Sequence, residues 1–344
     1  MEESSKRDSL HLATIARYRP DMQQGLIAFR EAQGVTSHER FLANLADPEL
    51  GLQAWIARGK DGSITGYATG LPWQRRPGVF GVNLNIPKAM DPAEQEELAL
   101  ALAEDVRREV QEEARKQIRE DGGAATEPSR SVPIRTLMAF PISALWLPAF
   151  TRTGRWSPFQ ELVHYRKDTR TIPPAPPVPP GSNLEVRPFV AATDLPAVLD
   201  VEHAAFPEFW WQSAGEFVSY GGRAAGGGGG GGVSGGGSST TGRSAPAPGP
   251  TFDVMLLNGQ IIGYNMNSAT PPRGYVGRLG VHPAHQGKGF GHRLLAHALL
   301  RLYEAGCAHV ELNTQIENAQ SRRLYEKFDF AEVGGHWIVR TDRQ

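Results

Sequence analysis

A single cysteine, Cys307, in 344 residues excludes an internal disulfide. It stands between a helix-like run and the strand-like HVELNT, where a buried structural thiol is expected rather than a nucleophile. Net charge is nearly absent too. The chain has 36 basic and 37 acidic residues, a formal −1, so no global field favours nucleic acid or an anionic membrane. Any anion must be held locally. No apolar run approaches the roughly 18–20 residues of a membrane span. The opening MEESSKRDSLHL lacks the apolar stretch of a secretory signal. The expectation is a cytoplasmic protein, monomer or homodimer, with no nucleic-acid and no membrane partner.

Proline and glycine are plentiful, and they punctuate the chain. TIPPAPPVPPGSN (171–183) reads as a semi-rigid linker between two halves of similar length. Each half opens on a strand-like segment, LHLATIARY (10–18) and LEVRPFV (184–190), and continues through helical material to a hairpin candidate. The second hairpin carries Asn258-Gly259 between apolar runs, a strong two-residue turn signal; the first has Asp61-Gly62 in a longer turn. The same order of elements in both halves points to internal duplication. In the first half, residues 91–121 read as a packing helix, with Leu98, Leu102, Val106, Val110, Ala114 and Ile118 four apart. The glycine-rich 221–250 cannot offset chain entropy by burial, so a disordered insertion is expected there.

The most informative stretch is GVHPAHQGKGFGHRLL (280–295). Gly287, Gly289 and Gly291 leave backbone N–H groups unobstructed where the chain turns into a helix expected from about His292 to Glu304. Exposed amides at a helix N-terminus form an anion site suited to a pyrophosphate. Two common glycine motifs fail here. A dinucleotide fold wants G-x-G-x-x-G, but position 292 is histidine; a P-loop wants Ser or Thr after Gly-Lys, and Gly289 follows Lys288 instead.

Gln286-Gly287-Lys288-Gly289-Phe290-Gly291 resembles the Q/R-x-x-G-x-G/A pattern of GNAT acetyltransferases. ENAQSRRLYEKFDF (317–330) is similar to that family's N-x-x-A-x-x-L-Y-x-x-x-G-F segment, with Ser321 for alanine and Asp329 for glycine. The resemblance covers about 184–340. It implies an α/β (α+β) fold of two tandem GNAT-like domains, each a mixed, mostly antiparallel sheet flanked by helices. The domains would be 8–170, degenerate and lacking the cofactor motif, and 184–344, with 171–183 between them. In the first half, Pro87–Pro92 has no glycine, which opposes a pyrophosphate. The tandem arrangement, one worn half and one intact, is similar to mycothiol synthase and its relatives.

The implied reaction is acetyl transfer from acetyl-CoA to a primary amine, on a small molecule or a peptide, in a ternary complex without a metal. The amides of Gln286, Gly287, Lys288, Gly289, Phe290, Gly291 and His292 would cradle the pyrophosphate, and Leu279 would line the cofactor. The Val281 N–H would polarise the thioester carbonyl. Asn318 would bond the pantetheine arm or simply cap its helix. Tyr325 would protonate the leaving thiolate or be an ordinary packed tyrosine. His282, His285, His292 and His297 are numerous, but no carboxylate or cysteine joins them at ligand spacing. Phe206, Phe209, Trp210 and Trp211 either wall the acceptor pocket or pack in the core.

No general base is assigned. The strand Tyr275–Leu279 has no acid, whereas mycothiol synthase-like strands carry one where Tyr275 falls. Glu202 and Glu208 are candidates, Asp253 and Glu311 come after them, and a water relay is equal to any. The alternative function is a catalytically inactive acyl-CoA-binding sensor or interaction module.

Overall fold

The computed structural model describes residues 12–35, 38–48, 51–72, 78–120, 136–174, 181, 183–225 and 249–341. It divides into two compact units, 1–161 with 335–344, and 162–334.

The first unit contains β1 (Leu12–Arg17), α1 (Gln23–Ala32), α2 (Glu39–Ala46), β2 (Gln53–Gly59), β3 (Ile64–Pro72), β4 (Val79–Asn85), α3 (Pro92–Glu120), β5 (Thr136–Ile142), α4 (Leu147–Arg152) and the start of β6 (Trp156–Asp168). Neighbours β1 to β4 pair antiparallel, β4 and β5 parallel. Leu98, Leu102, Val106 and Val110 of α3 are buried in one core with Trp55, Phe80, Phe150 and Trp156, as the four-residue spacing predicts. Asp91 caps α3, its Oδ1 accepting from Ala93 N at 2.9 Å.

The second unit runs β7 (Leu184–Pro188), α5 (Ala191–Ala205), a 3-10 turn (Glu208–Trp210), α6 (Ala214–Ala225), β8 (Pro250–Leu257), β9 (Gln260–Thr270), β10 (Arg273–Val281), another short 3-10 turn (Pro283–His285), α7 (Phe290–Glu304), β11 (His309–Gln315) and α8 (Ala319–Glu326), leading to β12 (Ala331–Thr341). The order of elements repeats that of the first unit. β7 to β10 pair antiparallel and β10 pairs parallel with β11. One face of the sheet packs Val198, Val201 and Phe217 of α5 and α6 against Phe252, Val254 and Tyr264. The other packs Leu295, Leu299 and Leu302 of α7 with Tyr325 and Phe328.

The unit boundaries differ from those expected. The division falls at Glu161, not at the proline-rich 171–183, because residues 162–168 of β6 pair with β11 in the second unit. The C-terminal end of β12 pairs with β5 in the first. Each sheet thus gains its last strand from a distant part of the sequence, which local composition does not reveal. Residues 175–180 and 182 of the linker lie outside the described residues.

The glycine-rich segment is also shorter than expected: α6 extends through Ala225, and β8 begins at Pro250. A Cβ at Gly221 would lie 2.8 Å from the Phe189 ring, so glycine there lets the helix close on it. Residues 226–248 lie outside the described residues. The Asn258-Gly259 turn is as expected, with φ of 52° and 83°. Cys307 is buried and its thiol is raised by desolvation, in keeping with a structural role.

β9 and β10 approach closely at Gly263, where a Cβ would sit 2.8 Å from the Gly280 carbonyl oxygen. Backbone on both sides cannot yield as a side chain would. Gly263→Ala is expected to cost about 1–3 kcal/mol, measured as a lower urea midpoint. An unchanged midpoint would show that the strands separate freely.

Candidate active site

β10 is the spine of the site. It pairs with β9 from Arg273 to Val281, with a bulge between Val276 and Arg278. Its parallel ladder with β11 is much shorter, Arg273–Tyr275 against His309–Glu311. Among the described residues, the β11-facing edge of β10 has no ladder partner beyond Tyr275, so it is open there. His282 N donates to Ile262 O at 2.9 Å, so that pair bonds across to β9. Antiparallel bonding alternates, and the N–H groups of Val281 and Leu279 therefore face the open edge. The Val281 carbonyl, on that same edge, accepts from Gln286 Nε2 at 2.8 Å.

That bond draws the next turn tight. Gly287 and Gly289 have φ of 74° and 83°, a region glycine enters without strain. Gly289 is the N-cap of α7 and supplies no side-chain cap. The helix starts at Phe290, two residues earlier than the sequence suggests. Arg293 N is bonded to Gly289 O at 3.1 Å, so the N–H groups of Phe290, Gly291 and His292 precede the first helical bond. A Cβ on Gly287 would meet nothing within 4 Å. Lys288 Nζ rests on Ala284 O at 3.0 Å.

The histidines of this region do not converge. His282 Nδ1 accepts from Ala284 N, His285 packs toward Phe290, His292 Nε2 lies 3.1 Å from Pro174 O, and His297 lies 3.4 Å from Asp253. Among the described residues no group of three or more His, Cys, Asp or Glu could hold a metal ion.

α8 brings Tyr325 into the core, where its ring packs 5.6 Å from Tyr165 and 5.8 Å from Phe330. Burial pushes its phenol up to about 12, opposed by a hydrogen bond with Ser321 and reinforced by Tyr275 and Tyr165. The hydroxyl therefore keeps its proton at neutral pH. Asn318 caps α8, its Oδ1 accepting from Ser321 N at 3.1 Å. That oxygen is spent on the cap, the plainer of its two expected roles. Asp329 has φ of 56°, so it adopts the left-handed conformation for which glycine is the usual residue.

The opposite face of β10 carries a group that the sequence reading missed. Arg278 lies 2.5 Å from Glu202 of α5 and donates at 2.9 Å to the Trp210 carbonyl. Its guanidinium lies over the Phe206 ring, 3.5 Å from the centroid. Glu202 is fully buried and also accepts from Gln212 N at 2.7 Å and from the Tyr264 hydroxyl. Both Glu202 oxygens, which the sequence offers to the acceptor, are thereby engaged within the protein. Asp253 is buried beside His297 of α7, away from this face. Glu208 is exposed on the 3-10 turn.

Phe206, Phe209, Trp210 and Trp211 are half-buried, and Phe206 packs against the core of α5, α6 and the sheet. Trp211 Nε1 donates to Phe206 O at 2.8 Å, Phe209 meets Trp210 edge-on, and His203 stacks on Trp211 at 4.3 Å. They form an aromatic surface anchored through Arg278. A charged residue inside an otherwise apolar strand was the available signal for that anchor.

Residues 238–330 match the model of the acetyltransferase (GNAT) family. An acetyltransferase of Yersinia pestis is 33% identical over 79 residues, 23% of this chain and 56% of that protein. One from Pectobacterium atrosepticum is 32% identical over 82 residues, 24% of this chain and 58% of its own. The chain thus spans a little over half the length of these curated relatives. A GCN5-related N-acetyltransferase from Sphaerobacter thermophilus superposes with a TM-score of 0.64 at 18% identity, covering 96% of both chains. A tandem GNAT protein from the clavulanic acid biosynthesis pathway gives 0.60 at 16%, covering 96% of this chain and 98% of its own. At such identities the two structures speak for the fold alone, which extends over both units. Residues 238–330 are thus similar to the acetyltransferase (GNAT) family, and the fold is shared with the tandem GNAT protein.

Removing one partner of a buried ion pair strands the other. Glu202→Ala is expected to destabilise the protein by about 3–5 kcal/mol, read from chemical denaturation. A variant of full stability and no activity would return Glu202 to the reaction.

Proposed function

We propose that the second unit transfers an acetyl group from acetyl-CoA to a primary amine by direct attack in a ternary complex. The observation that carries this reading is the uncapped glycine turn at the head of α7, beside the open edge of β10. The residues present fit the donor. Open space lies beside Gly287, no acidic residue stands in the first turn of α7, and Lys288 adds a cation. Gly287–His292 would hold the pyrophosphate. Leu279 and Val281 would offer amides to the acyl-pantetheine end, the Val281 N–H stabilising charge on the thioester oxygen. Tyr325, held protonated, would supply the thiolate's proton.

The aromatic surface of Phe206, Trp210 and Trp211 would meet the acceptor. The first unit would take no donor, because Asp91 fills the corresponding helix end with its own carboxylate. A purely sensory module is less well supported. Asp329 keeps the backbone conformation expected of the glycine it replaces, and the Tyr325 phenol holds its proton at neutral pH.

Calorimetric titration with acetyl-CoA should give one site per chain, lost in Gly289→Glu. Two sites, or binding that survives the substitution, would overturn the assignment of the cradle. Tyr325→Phe should leave the Kd for acetyl-CoA unchanged and lower kcat by about 10²-fold or more. Full turnover in that variant would remove Tyr325 from the mechanism.

A further inference from the structure

We propose that Glu311 of β11 takes the proton from the incoming amine, supplying the acid that β10 lacks. The inference rests on the acetyl-transfer reading above. Glu202 is consumed by Arg278, Tyr264 and Gln212, and Asp253 lies beside His297 of α7. Glu208 stands on the exposed 3-10 turn.

Glu311 is differently placed. It stands across from Tyr275 in the last rung of the parallel ladder, at the point where β10 and β11 part. Val310 and Leu312 are buried in the core under α7, so Glu311 and Asn313 take the other face. Val276 joins that same core, and a Cβ on Gly274 would meet Leu302 of α7 at 3.2 Å, which turns Tyr275 to the face of Glu311.

The Tyr275 hydroxyl accepts from Asn313 Nδ2 at 2.9 Å, so the ring reaches across to β11 where the opening begins. The groups facing Glu311 are Tyr275 of β10, His309 at 3.8 Å and Asn313 on β11, and His164 and Arg166 of β6, with Arg166 opposite it in register. Its charge helps raise the Tyr275 phenol, after burial, and opposes the burial that lowers His164. Tyr275 in turn contributes to the raised phenol of Tyr325. The acceptor and the donor of protons therefore lie within electrostatic reach of one shared tyrosine. The Glu311 side chain is 35% exposed, open to an arriving ammonium and to solvent.

The reaction balances as follows. The Glu311 carboxylate removes one proton from R–NH3+, and the freed lone pair forms a C–N bond to the thioester carbonyl carbon. The C–S bond breaks, and Tyr325 protonates the thiolate. The second amine proton, lost as the adduct collapses, replaces the one Tyr325 gave up. Glu311 returns its proton to solvent, so each turnover releases one.

The test compares full-length Glu311→Gln and Glu311→Asp with the wild-type chain. Without any ligand, an ultraviolet tyrosine titration should show one phenol ionising at lower pH in Glu311→Gln, because a neighbouring negative charge is gone. Acetyl-CoA should bind all three proteins within about twofold by calorimetry. Wild type is then assayed on a panel of amino acids, amino sugars, polyamines and short peptides. On any amine it acetylates, Glu311→Gln should lower kcat by about 10²–10³-fold and abolish the acidic limb of the pH profile, with partial recovery in Glu311→Asp. Equal turnover in Glu311→Gln, an unmoved tyrosine titration, or a loss of acetyl-CoA affinity matching the loss of rate would overturn the proposal. A wild-type chain silent on every amine would instead defeat the transfer reading itself, and this inference with it.

Discussion

Strand β10 is held along its whole length by β9 but by β11 over only three residues. Leaving the rest of that edge unpaired is costly, since backbone N–H and C=O groups demand partners. The chain meets part of the demand locally. Gln286 reaches back to the Val281 carbonyl, and in doing so fixes the start of the glycine turn. Among the described residues, no side chain reaches the N–H groups of Leu279 and Val281 in this way. One feature, the early end of a ladder, thus makes a row of donors, sets the turn beside it and leaves room for an extended ligand along the edge.

The opposite face shows why the strand keeps its position while one edge is open. The Arg278–Glu202 pair joins β10 to α5, and through the Trp210 carbonyl it holds the 3-10 turn as well. A buried ion pair is an expensive tie, because both charges leave water. Here the cost is offset by additional bonds from Tyr264 and Gln212 and by the Phe206 ring under the guanidinium. Phe206 and Tyr264 also close on Gly280, where a Cβ would lie 3.0 Å from each. A larger residue at that position would push the aromatic segment off the strand. Packing, charge and the absence of one side chain therefore fix the same register.

Much of this was legible along the chain where the determinants are local. Asn258-Gly259 turns the hairpin because both residues tolerate positive φ, and the spacing of glycines after Gln286 announces an uncapped helix end. The leucine and valine repeat of α3 likewise marks the face it buries. What was hidden depends on contacts between distant residues. Glu202 reads as an available acid until Arg278 is known to lie against it, and that requires the bulge before Arg278. The exchange of residues 162–168 and 335–341 between sheets likewise leaves no local signature. Asp329 reads as a departure from the glycine of the family pattern because sequence records the residue and not the φ that aspartate can still adopt.

The same distinction bears on the strand without an acid. Judged along β10 alone, Tyr275 reads as a loss, because one strand displays only the residues in its own register. A sheet, however, builds each face from neighbouring strands, and side chains in one rung share a surface whichever strand supplies them. Glu311 occupies that shared surface, and Tyr275 bridges to β11 through Asn313 rather than leaving a gap. Burial and the nearby carboxyl group of Glu311 both favour the neutral phenol of Tyr275, which brings a hydroxyl to the same rung. Moving a carboxylate one strand sideways shifts it by about 4.8 Å, a distance that a bound amine or one water can span. Chemistry at such a position is thus constrained by the face, not by the strand that carries it.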